Sequence, residues 1–344
     1  MNKPPGPDDM VAAGGAAARA WAWTLGRVAR ISSEQTSVAR RGFHVTRPAV
    51  VERLEAIGRH FVAGYNLAIG SSEPERLAAL LDGLPVDDAG FAYEGAGMGL
   101  AVADWLTPRR ELFRAFVRGP ARAHAYMVWV GLGWALARLP VRPERALARF
   151  ADLHCWLALD GYGFHEGYFH WRRRIAAQRR PRGLSAEGAH VFDQGLGRSL
   201  WFVHGAEPAA VMRALALFDP ARHADLWAGV GLAAAYAGGC ERAGLDALRA
   251  GSGTHAAALA QGMVFAAEAR VRAGNPVAHL ALACERVLDR DAHAAAALAR
   301  AARPDGHTLA HYQQWRLAIQ RQCAHGPATA VAVGRAPRHG RGQP

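Results

Sequence analysis

Glycine-spaced motifs recur along this sequence at a separation of about one hundred residues. Tyr93-Glu-Gly-Ala-Gly-Met-Gly-Leu100 matches Asp193-Gln-Gly-Leu-Gly-Arg-Ser-Leu200 at an offset of 100, and Val128-Trp-Val-Gly-Leu-Gly-Trp-Ala-Leu-Ala137 matches Leu226-Trp-Ala-Gly-Val-Gly-Leu-Ala-Ala-Ala235 at 98. Gly161-Tyr-Gly-Phe164 matches Gly262-Met-Val-Phe265 at 101, and Phe61-Val-Ala-Gly-Tyr65 resembles Phe164-His-Glu-Gly-Tyr168 at 103. Four matches in order at a near-constant offset read as an internal duplication. Small residues at alternate positions thin several faces of a helix, so neighbours can approach closely, with Trp129 and Trp227 supplying bulk at equivalent places. Stacked helical units bury faces that none could bury alone. The expected architecture is all-α: a compact helical array of two repeats, pseudo-two-fold, with a cavity between them.

Almost every periodic segment fits a helix, over 52–66, 74–81, 126–139, 143–159, 208–218, 226–237, 256–273 and 277–288. Alternating β-branched runs bounded by hairpin turns are scarce. Residues 1–36 read as a flexible segment with an amphipathic helix over 10–31 that carries Trp21, Trp23 and Leu25 and docks on the protein's own body. Residues 37–325 form the duplicated domain, with repeat 1 at about 61–163, repeat 2 at about 164–264 and C-terminal helices over 265–325. Residues 326–344 read as a disordered basic tail.

The 344 residues are 51% hydrophobic, enough for a sizeable core. The net charge is +12 and Lys3 is the sole lysine, so the basicity is arginine: a generally basic surface, or one anionic partner. Cys155, Cys240, Cys284 and Cys323 have no regular spacing and read as free thiols in a reducing compartment. No uninterrupted apolar run is long enough for a transmembrane helix, and the N-terminus lacks the pattern of a secretory signal, so the expected location is cytoplasmic.

Chemistry concentrates in Asp160-Gly-Tyr-Gly-Phe-His-Glu-Gly-Tyr-Phe-His170, where helix propensity alone would not place three glycines. Its histidines are five apart, on different helix faces, which is the wrong spacing for a zinc-binding helix, so no metal is expected. Glu166 or Asp160 beside His165 is a candidate acid–base pair, against structural roles for each. Asp193-Gln-Gly-Leu-Gly-Arg198 lacks the strand before it and the Lys-Ser/Thr after it that a phosphate loop needs; there Arg198 can pair with Asp193 or a buried carboxylate. Asp87-Asp88 reads as a cap in a loop bounded by Pro and Gly.

Residues that break the internal symmetry separate chemistry from scaffold. They give His165, Glu166, Asp160 and Asp193 as catalytic candidates, with Tyr93, Glu94, Tyr162, Gln194, Arg198 and Gln261 around a substrate. Convergence of these groups on one inter-repeat site is the expectation. Arg172, Arg173 and Arg174 open the densest basic run and are candidates for docking an anion or an acidic partner. No aromatic-interleaved or helix-turn-helix signature accompanies them, which argues against nucleic acid.

Arg40-Arg-Gly-Phe43, Leu159-Asp-Gly-Tyr-Gly-Phe-His-Glu-Gly-Tyr168, Phe192-Asp-Gln-Gly-Leu-Gly-Arg-Ser-Leu-Trp201 and Leu259-Ala-Gln-Gly-Met-Val-Phe265, with the motifs already quoted, carry a resemblance. Between about Arg40 and Trp315 the chain resembles a bacterial family found in enediyne polyketide gene clusters. The resemblance implies a part in building the enediyne core from a polyene made by an iterative polyketide synthase. It settles neither the reaction nor any cofactor, and it transfers no catalytic residue. Two functions are consistent with it: an enzyme acting on the hydrophobic polyene, or a non-catalytic helical scaffold docking the synthase, an acidic carrier protein or a redox partner.

Overall fold

Each repeated motif forms the middle of a helix. The structure, a computed structural model, describes residues 29–107 and 111–324, and no strand occurs among them. Most of the helix predicted over 10–31, and the tail 326–344, lie outside the described residues. Seven helices carry the architecture: α1 (Pro48–Ala68), α2 (Ala89–Leu106), α3 (Ala125–Leu136), α4 (Leu157–Phe169), α5 (Ala186–Val203), α6 (His223–Ala237) and α7 (Ala256–Arg272). Two more, α8 (Ala292–Ala301) and α9 (Leu309–Ala324), pack on α7.

Each of the seven packs chiefly on the next in sequence, and glycine makes this possible. In a Gly-x-Gly pair the two positions are about 200° apart around the helix, so one glycine faces the preceding helix and the other the following one. The contacts are reciprocal. A Cβ on Gly163 of α4 would sit 2.0 Å from the Phe192 carbonyl oxygen of α5, and one on Gly195 of α5 would sit 1.8 Å from that of Asp160 in α4. Gly64 with Gly95, Gly97 with Gly131, Gly133 with Gly161, Gly197 with Gly229, and Gly231 with Gly262 repeat this arrangement. Across all six interfaces the added Cβ would lie 1.8–2.4 Å from a carbonyl oxygen of the facing helix. That distance leaves no room for any side chain.

The matches at offsets of 98 to 101 therefore join helices three places apart: α2 with α5, α3 with α6, α4 with α7. Because the same contact recurs at every interface, one helix is the smallest unit of the pattern. The match at 103 follows another register, since Gly64 lies against backbone while Gly167 lies against the Ser199 side chain.

The end of this series folds back on its beginning. Arg53 of α1 donates to the carbonyl of Ala237 (3.1 Å), and Arg270 of α7 donates to that of Asp87 (3.0 Å). The Tyr236 ring meets Phe91 edge-on at 5.2 Å. The helix α3 shows the result most fully: it is apolar all round and every one of its residues is buried.

Local chemistry corrects several expectations. The segment 160–170, which propensity disfavours, is helical as far as Phe169 because its glycines serve interhelical contact. The helix predicted over 143–159 breaks into Pro143–Leu147, a 3-10 turn Leu153–Trp156 and α4. Asp152 starts that turn by accepting from the His154 N–H (2.9 Å). The helix over 277–288 ends as a π-turn, Cys284–Leu288, closed by Asp289 in the left-handed conformation (φ 52°). Asp88 precedes α2 without a side-chain cap bond; it pairs instead with Arg53 at 2.7 Å.

Gly195→Ala and Gly163→Ala are expected to cost about 2–3 kcal/mol or more, because backbone must separate to admit each methyl. Gly83→Ala, whose Cβ would find its nearest neighbour at 3.5 Å, should stay within about 0.5 kcal/mol of the parent. Urea midpoints at constant slope measure both.

Candidate functional site

Enclosed helices oblige their polar residues to find partners inside the protein. Asp160, fully buried on α4, accepts from Arg198 Nη1 (2.5 Å) and Gln194 Nε2 (2.7 Å) of α5. Gln194 Oε1 in turn accepts from Gln261 Nε2 of α7 (3.3 Å) and Arg316 Nε of α9 (3.0 Å). Arg316 Nη2 completes the chain on Asp225 Oδ1 of α6 (2.8 Å). The structure thus joins Asp160, Gln194, Arg198 and Gln261 in a hydrogen-bonded network tying five helices together.

The other acids do not converge there. Asp193 is adjacent to Gln194 in sequence but about 100° around α5 from it. Both its oxygens are taken by Arg222, at 2.6 and 2.9 Å, and Arg180 adds a further bond at 3.1 Å. Glu166 is paired with Arg174 Nε at 2.6 Å. Arg174 is buried in that pair and so forms no docking surface; Arg172 and Arg173 are exposed. His165 Nε2 accepts from Arg138 Nε (3.1 Å), which occupies the lone pair a general base would use. Burial, then Arg138 and His170, hold its pKa well below the ordinary value. Tyr93 donates to Asp82 (2.8 Å) and stacks on His124 at 3.9 Å, while half-buried Tyr162 lies edge-on to Phe192.

One carboxyl differs. Glu94 on α2 is 1% exposed, and its Oε1 makes no hydrogen bond among the described residues. Burial lifts its pKa to about 7, against the pull of Arg198 and of the neighbouring Trp134 indole N–H, with Asp160 adding to the rise. Near neutrality such a group can both give and take a proton.

Glu94 lines a narrow apolar slot of about 50 Å³. Leu54, Ile57 and Phe61 of α1, Phe91 and Met98 of α2, Trp134 of α3, Phe164 and Tyr168 of α4, and Phe202 of α5 form its walls. Trp134 sits 4.4 Å from Phe61 and 5.2 Å from Phe164, ring centre to ring centre, so the aromatic wall is continuous. The N-terminal turn Ser33–Thr36 contributes Gln35 and Thr36, and Arg138 stands after α3. The slot lies among α1 to α5, towards one end of the series.

Sequence reasoning placed Glu94 at the site but missed Trp134, Arg138 and the turn. A signal was present: Phe61-Val-Ala-Gly-Tyr65 and Phe164-His-Glu-Gly-Tyr168, the match out of register with the glycine contacts, both supply slot walls. Among the described residues no group of three or more His, Cys, Asp or Glu could hold a metal ion, and no helix is long and apolar enough to cross a membrane.

Asp193→Asn is expected to destabilise the fold by about 3–5 kcal/mol, as removing one member of a buried ion cluster does; chemical denaturation measures it. Glu94 has the opposite effect. Its folded pKa lies above the unfolded value, so the folded state binds more protons between about pH 4.5 and 7 and stability falls across that window as pH rises. Glu94→Gln should therefore gain on the wild type as pH rises, by on the order of 3 kcal/mol at pH 8. The pH dependence of Tm for the two proteins tests this.

A family model described as a protein of unknown function, DUF1702, matches residues 20–323. No curated protein and no solved structure matches the chain. Since the matched region spans the glycine-paired helices, the slot and the polar network, the chain belongs to the DUF1702 family.

Proposed function

We propose that this protein acts in enediyne biosynthesis in the cytoplasm, on an apolar polyene intermediate made by an iterative polyketide synthase. The polyene occupies the aromatic slot, and Glu94 is the group that exchanges a proton with it. The observation that carries this reading is a carboxyl with no ion pair among the described residues, buried in the wall of a mostly apolar slot. Ligand sites are commonly apolar enclosures with a few convergent polar groups, and a buried carboxyl kept near pH 7 suits proton transfer. The motifs Arg40-Arg-Gly-Phe43 and Phe164-His-Glu-Gly-Tyr168, which carry the resemblance to enediyne-cluster proteins, contribute or adjoin slot residues. Asp160, Asp193 and Glu166 then serve as structural anions, each neutralised by arginine.

The test is deletion of the gene in a producing strain, complemented by wild type, Glu94→Gln and His165→Ala, with metabolites followed by mass spectrometry. Deletion should abolish the product and accumulate a polyene. Glu94→Gln, folded by circular dichroism, should lower product by at least about a hundredfold, in the range removal of an acid–base group produces; His165→Ala should retain most of it. Unchanged product in the deletion strain would overturn the pathway, and full complementation by Glu94→Gln would overturn the role of that carboxyl.

A further inference from the structure

We propose that the mouth of the slot is a carboxylate site formed by Arg41 and Arg138, so that the ligand is a long-chain carboxylic acid bound with its head outward. The proposal rests on reading the slot as a ligand site and adds the chemical class of what enters it.

Exposure gives the slot a direction. Arg138 reaches solvent, and Gln35 and Phe169 are partly exposed, whereas Glu94 and Met98 are buried. Two guanidinium groups gather at the exposed end. The Arg41 and Arg138 carbons lie 4.8 and 5.1 Å from the centre of the same Phe169 ring. Arg41 donates to Gln35 Oε1 and Arg138 to His165 Nε2; both acceptors are neutral. Neither arginine forms an ion pair among the described residues, whereas Arg174, Arg198, Arg222 and Arg316 each hold a buried carboxylate. Burial, with Arg41 adding to it, holds the Arg138 pKa below its ordinary value. Like charges brought together and partly desolvated are relieved by an anion, and guanidinium groups match the two oxygens of a carboxylate.

The remainder of the slot selects the tail. At about 50 Å³ the slot takes only a short length of a chain before its lining side chains must part, and Phe61, Trp134 and Phe164 offer flat rings to an extended or conjugated one. A head at Arg138 and a chain running inward past Trp134 brings the distal part of the molecule to Glu94.

The probes are trans-parinaric acid, a conjugated tetraenoic acid whose fluorescence rises in apolar surroundings, and its methyl ester, each titrated into the full chain. The acid should bind at least about tenfold more tightly than the ester, as a charge-assisted head contact predicts. Arg41→Gln with Arg138→Gln should remove that advantage, bringing acid and ester to equal affinity. Equal affinity of acid and ester in the wild type overturns the carboxylate site while leaving the slot as an apolar site; binding of neither overturns both. Displacement of the probe by dodecyl phosphate at a tenth of the laurate concentration or less assigns the mouth to a phosphate ester and overturns the carboxylate. The comparison of acid with ester in the wild type requires no variant to fold.

Discussion

Everything in this protein depends on the reciprocal contact in which a glycine of one helix lies against a carbonyl oxygen of the next. Each glycine inside a helix costs about 1 kcal/mol relative to alanine. The contact offsets that cost by letting backbones meet directly, with Cα–H···O interactions and close packing in place of interdigitated side chains. Because Gly-x-Gly places its glycines on opposite sides, each inner helix is clasped twice. A row of seven helices can then form in which the middle members have almost no solvent face, as α3 shows.

The polar interior follows from that enclosure. A charge on an inner helix cannot turn to water, so it is paired or made neutral. Arginine suits this purpose, since its planar fork fills both oxygens of a carboxylate and its face packs on aromatic rings. Arg222 does the first on Asp193, and Arg198 lies 4.5 Å from the centre of the Phe164 ring. The arginine-rich composition is therefore partly an interior property, and the basic run after α4 illustrates it: Arg174 points inward to Glu166 while Arg172 and Arg173 remain outside.

The glycine motifs were legible in the sequence because they are local, and they gave an all-α chain of closely packed helices. The unit was harder to see. Steps between successive paired glycines are unequal, so a three-helix spacing near one hundred stands out where the single-helix spacing does not. Partners were not legible at all. Asp160 is held by Arg198, thirty-eight positions away, and Gln194 by Arg316, at a separation of 122. Neighbours such as Asp193 and Gln194 diverge by the turn of a helix, so a list of polar residues at matching positions could not say which of them meet. Glu94 was found by its position in a motif, but that it alone of the buried carboxyls among the described residues would be left without an ion pair depends on where distant arginines were committed.

That commitment accounts for the site. Arg198 feels both Asp160 and Glu94, yet its hydrogen bond goes to Asp160, and its Nε donates to nothing else among the described residues. One guanidinium can compensate one buried carboxylate. A second negative charge beside it, in an apolar wall, is disfavoured until the pH approaches the raised value of Glu94. The network around Asp160 therefore does more than hold α4, α5, α6, α7 and α9 together. By absorbing the only cation near Glu94 among the groups that shape its pKa, it leaves that carboxyl without an ion pair in the slot wall, and the packing that enforces the fold also sets the protonation of its candidate functional group.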